Sequence, residues 1–390
     1  MTVTVPKDAE FALVVREIAE RVASAAADAV DRENRFPHEA LDALREAKAL
    51  SAFVPASHDG AGVCFGELAG ACFDLARACS STGMVFAMHQ IQVGCVARHG
   101  AGTALFDGYL RSIVTEQRLI ASVTTEAGAG GDLRSSKVAA EADGEEIAFE
   151  KQAPTVSYAQ HADDLLTTMR RAPDAEPGDQ VLVLTHASQT ELEPTSSWDS
   201  LGMRGTCSPG FVVRARAPKE HVLPVPFARI AAETMVPFSH ILWGHVWLGI
   251  ATAAYDRARA FVRAQTRSAG TATPTARRLS ALAVDLQAMR AELAAVTEEY
   301  SNMLASGPEL ERAHTVDYAV RINTLKISVS ERAPAICAGA LTICGMAGYK
   351  NDSPFSVGRQ LRDALSGGLM IANERIHATN AALLLVHKGE

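Results

Sequence analysis

The chain has 390 residues and a formal net charge of −8, with 48% hydrophobic and 21% charged residues. This length is enough to bury a sizeable core and to form two or three layers or domains. No Lys/Arg stripe tracks phosphates, which excludes nucleic acid as a partner, and no apolar run reaches the ~18 residues of a membrane span.

The opening residues, MTVTVPKDAEFALVVREIAE, carry acids inside their apolar run. That is neither a secretory signal nor a transit peptide, so a cytoplasmic protein is expected. Apolar Phe11, Val14, Ile18, Val22, Ala26 and Val30 recur at helical spacing. Pro37 suits a helix start, and ALDALREAKAL follows as a second amphipathic helix. After the turn-rich VPASHDGAG, residues 66–116 read as helices again. An N-terminal helical domain is therefore expected over 1–118.

The character changes near residue 119. LIASVTT, DLLTTMRR, QVLVLTH and FVVRARAP are short β-rich runs separated by Asp/Gly/Pro turns. They predict a small β-barrel or sandwich over 119–230, taken here as a barrel. From 231 to 390 four long helical stretches predict an up-down four-helix bundle. The fold class is thus mostly α with a central β-domain.

The seven cysteines include no CxxC pair, and Cys72/Cys79 and Cys337/Cys344 are each seven apart. Neither structural zinc nor a disulfide framework is expected, and no metal site.

One loop stands out. TTEAGAGGD, Thr124 to Asp132, places three glycines in four positions after a strand. Such a backbone approaches a ligand closely, and Thr124 and Thr125 offer donors suited to a flavin edge or a phosphate. By itself it fits a plain turn equally well, and no βαβ alternation makes it a dinucleotide fingerprint.

TTEAGAGGD resembles the flavin loop of the acyl-CoA dehydrogenase superfamily. FPHEALDALREAKALSAFVPASHDGAG, HGAGTALFDGYLRSIVTEQRLIASVTTE, LGMRGTCSPGF and CGMAGYKNDSPFSVGRQLRDA are similar to further segments of that family, in order and spacing. The resemblance implies FAD at the junction of the β-domain and the bundle, and a homotetramer or a dimer. It implies flavin contacts from Thr124, Thr125, Gly130, Gly131 and Ser157, the last on a strand containing APTVSYAQ. Where the family usually has tryptophan two residues earlier, this chain has Thr155. Arg263 and Gly345 match adenosine-side positions, but Gln265, Thr266, Thr342 and Met346 depart from the motifs around them.

Desaturation of an acyl thioester needs a base opposite the flavin. Counting from Arg362-Asp363-Ala364, the usual glutamate position is Ile371, or Met370 with a one-residue gap, and the position used by a second branch is Ser239. None of these is a base for the α-proton. The substitutes weighed are Glu374, three residues beyond Ile371 and so on its face of a helix, with His377, His240, His245 and His89. Each histidine fits a core or capping role as well. Met88, His89 and Ile371 are expected to line the substrate pocket.

Three readings follow. The first is an FAD oxidoreductase acting on an acyl thioester, of CoA or a carrier protein, by a non-standard, O2-using reaction. The second is an ordinary desaturase whose base has moved to Glu374 or a histidine. The third is a non-catalytic scaffold binding FAD or CoA.

Overall fold

The structure is a computed structural model that describes residues 8–128, 133–269 and 274–386. Six helices come first: α1 (Asp8–Ile18), α2 (Ser24–Glu33), α3 (His38–Glu46), α4 (Phe65–Ala78), α5 (Ser80–His99) and α6 (Ala104–Glu116). A π-helical turn, Ala19–Ala23, joins the first two. α1 turns Phe11, Val15 and Ile18 into the core, the stripe its spacing predicts. α6 begins where the Thr103 hydroxyl accepts the Phe106 N–H.

α5 is different in kind. It is buried along its whole length except for half-buried Met88 and Arg98, so it has no solvent face to spare for charge. Gly94 lets the bundle come close, because a Cβ there would lie 2.6 Å from the Phe238 ring.

Seven strands follow: β1 (Ile120–Val123), β2 (Glu141–Asp143), β3 (Glu146–Ala153), β4 (Asp164–Arg170), β5 (Gln180–His186), β6 (Thr190–Pro194) and β7 (Phe211–Pro218). They form two sheets, ordered β1-β4-β5 and β2-β3-β7-β6. β1 and β4 run parallel, and the other pairs are antiparallel. Of the expected barrel or sandwich, the barrel is corrected: the described strands form two separate sheets and not one closed barrel. Beyond the named strands, pairing among the described residues is limited to the isolated bridges Ala139–Arg170 and Val183–Val222. β6 ends in Pro194 and β7 in Pro218, which lack the N–H a continuing ladder needs.

The C-terminal helices are α7 (Phe227–Ile230), α8 (Val236–Ala269), α9 (Pro274–Ser306), α10 (Val316–Cys344), α11 (Met346–Tyr349), α12 (Gly358–Ala364) and α13 (Asn373–Val386). The last long stretch read from sequence is therefore two helices. Turns occupy 365–372 between them, at the Gly367-Gly368 pair. Among the described residues no helix is long and apolar enough to cross a membrane.

One joint ties the three regions together. Arg362 pairs with Asp31 of α2 through Nη1 at 2.9 Å and donates to the Leu201 carbonyl at 2.8 Å. Asp363 accepts the Met203 N–H at 2.7 Å. Gly202 lies so close to α12 that a Cβ would sit 2.2 Å from the Arg362 carbonyl oxygen. The LGMR and RDA segments thus bond to each other, which places the β-region edge against the bundle.

Candidate flavin and substrate site

A cavity of about 660 Å³ opens beside this joint, within the range of small-molecule sites. Thr124, Thr125, Ser157, Met88, Ile371, Ser239 and His240 all line it. Residues far apart in sequence are thereby brought to one cavity: the end of β1, the turn after β3, α5, α8 and the 365–372 turns. Ser157 lies in that turn rather than on a strand.

The loop after β1 is held from behind. Glu126 is buried and accepts the N–H groups of Lys137 at 2.7 Å and Val138 at 3.2 Å, and the Ser136 hydroxyl at 2.6 Å. Lys151, the inward-facing lysine of β3, lies 3.8 Å from it and donates to the Thr168 carbonyl at 2.6 Å. The glutamate of TTEAGAGGD is an anchor, and the two threonines before it face the cavity. The Thr125 hydroxyl is already committed to the Thr155 carbonyl at 2.6 Å. Gly130 and Gly131 lie outside the described residues.

His89 is neither a base nor a pocket residue. It is wholly buried, its Nε2 donates to the Leu50 carbonyl at 2.8 Å, and its Nδ1 accepts the Ile120 N–H at 3.1 Å. It bonds α5 to β1, and the next residue back, Met88, faces the cavity in its place. Glu374 is exposed and does not line the cavity. The helical relation to Ile371 fails because Ile371 precedes α13 in a left-handed conformation, φ 48°. His377 is also exposed, and His245 bonds Thr297 at 3.0 Å away from the cavity lining. Arg263 and Gly345 are exposed and do not line the cavity.

His240 is the histidine that does reach the cavity. Its Nδ1 donates to the Ile322 carbonyl at 3.2 Å, which leaves the Nε2 lone pair available. Burial pulls its pKa down to about 4, so the ring is neutral. His89 and His99 are likewise pulled to about 4 by burial. Below about pH 6.5 the unfolded chain takes up protons that these folded rings refuse. Stability is therefore complete above about 6.5 and is lost as the pH falls toward 4, by about 3 kcal/mol for each ring that stays neutral. Melting temperature measured against pH should fall through that window; a curve flat down to about pH 4.5 would contradict these protonation states.

No aspartate or glutamate lines the cavity among the described residues. Five methionines do (Met84, Met88, Met203, Met235 and Met370), out of ten in the chain. They give a soft, adaptable apolar wall. Trp198 and Trp243 also line it, aromatic faces that the sequence reading missed. Three tryptophans in the whole chain were the available signal. Arg134, Arg362 and Arg375 also line the cavity, residues of a type whose planar fork suits a phosphate, although that of Arg362 is engaged by Asp31 and the Leu201 carbonyl. Threonine and serine hydroxyls, flat aromatic faces and guanidinium groups together are a lining that fits a flavin.

The fold and this site define a flavin-dependent oxidoreductase. Residues 6–115 match the acyl-CoA dehydrogenase N-terminal domain and residues 230–372 the acyl-CoA dehydrogenase C-terminal domain, and the chain belongs to that family. Among curated proteins, it is 24% identical over 355 residues to the mitochondrial short-chain specific acyl-CoA dehydrogenase of Bos taurus, covering 90% of this chain and 82% of that one. It is 28% identical over 375 residues to the L-evernosamine nitrososynthase of a Micromonospora species, covering 90% and 83%. Among solved structures, KijD3 in complex with dTDP superposes with a TM-score of 0.84 at 23% identity, covering 99% of each chain. The dibenzothiophene monooxygenase TdsC of Paenibacillus sp. A11-2 gives 0.82 at 19% identity, covering 97% and 98%. Butyryl-CoA dehydrogenase of Megasphaera elsdenii gives 0.80 at 18%, covering 99% and 100%.

Proposed function

We propose that this enzyme uses reduced flavin and O2 to oxygenate a nitrogen or sulfur atom of a small molecule, rather than desaturating an acyl thioester. The observation that carries the reading is the absence of a carboxylate from the described cavity lining, with Ile371 and Ser239 at the two expected base positions. Removal of an α-proton needs a positioned base. His240, neutral with a pKa about 4, is too weak a base for a thioester α-proton but is a competent hydrogen-bond acceptor. Glu374, His377, His245 and His89 do not line the cavity, which leaves the relocated-base reading without its other candidates.

The bound flavin supplies two electrons, so that one oxygen atom enters the substrate and the other leaves as water. The chain's own residues bind and shield. Thr124, Thr125 and Ser157 face the cofactor, the methionines and Trp243 exclude water around the substrate, and His240 Nε2 orients a substrate N–H or O–H. The nitrososynthase and monooxygenase names of two relatives support this class. FMN is the preferred form. TdsC and KijD3 structures contain FMN, and Arg263 and Gly345 lie outside the cavity with altered flanking motifs. Exposed Met346 and Tyr349 beside Gly345 support a homo-oligomer packed there.

The test couples the protein to a flavin reductase and NAD(P)H, with FMN and FAD offered separately. Dibenzothiophene, indole and a dTDP-amino sugar are supplied as probes. The expected result is a product one oxygen atom heavier, labelled from isotopically heavy O2. Oxidation of an acyl-CoA to its enoyl form without O2 would overturn the reading.

A further inference from the structure

Three hydroxyls of residues that line the cavity form a chain. The Thr206 hydroxyl lies 2.9 Å from the Met203 carbonyl and 2.8 Å from Ser208 Oγ. Ser208 Oγ donates to Ser157 Oγ at 2.9 Å. Thr206 and Ser208 are buried, and Ser157 is half-buried, the most accessible of the three. Each hydroxyl carries one proton. That of Thr206 goes to the Met203 carbonyl, and that of Ser208 goes to Ser157 Oγ at 2.9 Å, the shorter of its two contacts, the other being the Thr206 carbonyl at 3.2 Å. For the Ser157 proton no protein acceptor occurs among the described residues, so it is left to the cavity. The chain ends on a backbone carbonyl and not in solvent. It therefore orients a proton and does not conduct one.

The backbone around it is held in an unfavourable shape. Met203 at φ 53°, Cys207 at 43° and Tyr158 at 44° are all left-handed without being glycine. Such residues persist where their surroundings over-determine them, and they cluster at ligand sites. Here the two turns are laced together. The Tyr158 N–H donates to the Thr206 and Cys207 carbonyls at 2.9 and 3.0 Å, and the Val156 N–H to Pro209 at 3.0 Å. Packing alone gives no reason for buried hydroxyls to line up toward Ser157.

We propose that Thr206 and Ser208 are positioning residues, which fix the Ser157 hydroxyl as a directed donor to the hydrogen-bond-accepting edge of the bound flavin. The proposal rests on flavin binding and is independent of whether the reaction uses O2.

The test is a double-mutant cycle read by flavin affinity and by the visible flavin spectrum, with no turnover needed. Ser157→Ala and Ser208→Ala should each weaken binding about fivefold, one hydrogen bond's worth, and shift the visible band in the same direction. The double variant should be no worse than Ser157→Ala alone, and Ser208→Thr should restore both readouts. Thr206→Val should give a smaller shift of the same sign. If Ser208→Ala lowers only thermal stability, or if its effect adds to that of Ser157→Ala, the positioning role is wrong. Loss of oxygenase activity in the assay above with this cycle intact would strike the function and leave this assignment standing.

Discussion

Replacing Lys326 by methionine is expected to cost about 3–5 kcal/mol of stability and to lower the melting temperature by several degrees. Lys326 is wholly buried on α10. Its ammonium donates to the Gly367 carbonyl at 3.0 Å, the Ile371 carbonyl at 2.9 Å and Asn373 Oδ1 at 2.6 Å. Burial pulls its pKa down to about 8, so it remains a cation at neutral pH. Methionine fills the space but offers no donor, so the buried Gly367 carbonyl and the half-buried Ile371 carbonyl lose a partner, and Asn373 Oδ1 is left with Ser330 alone. The same bonds hold Ile371 at φ 48°, a conformation that a β-branched side chain strongly disfavours. The segment that forms the cavity wall should therefore relax, and flavin binding should weaken with stability. A denaturation midpoint within error of the parent protein would show that the lysine is not the clamp.

Asp363→Ala is the second large effect, about 3 kcal/mol, with flavin affinity falling alongside. The carboxylate is buried and accepts the Met203 N–H at 2.7 Å. Desolvation pushes its pKa up, with Arg359 opposing. Alanine strands that N–H in a buried place and releases the left-handed Met203, from which the turn carrying Thr206 and Ser208 starts. Asp363→Asn keeps an acceptor oxygen and should recover most of the loss. Equal damage from Ala and Asn, measured by chemical denaturation, would point to charge rather than the hydrogen bond.

These two residues mark where sequence reading stops. The helices were legible because their apolar spacing and caps are local, as in α1 and α6. The flavin loop was legible from its glycines and threonines, and Thr124, Thr125 and Ser157 do share one cavity. His89 was misread because its partners, Leu50 and Ile120, lie 39 and 31 residues away. Nothing in GMVFAMHQIQV shows that both ring nitrogens are already bonded. Glu374 was misread for a local reason: the spacing rule assumed a continuous helix, and the Gly367-Gly368 pair breaks it. The contacts of Lys326 span 41 to 47 residues, and the Ser208–Ser157 bond spans 51. The number of sheets depends on which strand edges meet, which is equally non-local. Motif resemblance named the LGMR and RDA segments, but only the structure explains them, as two sides of one joint.

The most direct test is an anaerobic titration of the flavin-loaded, oxidised protein with acyl-CoA thioesters of several chain lengths, following the visible flavin band. With no carboxylate among the described lining residues to take the α-proton, the band should stay unbleached at every chain length, while reduced flavin and O2 turn over a nitrogen or sulfur substrate. Rapid stoichiometric bleaching by any acyl-CoA would contradict the account and return the protein to its family's desaturases.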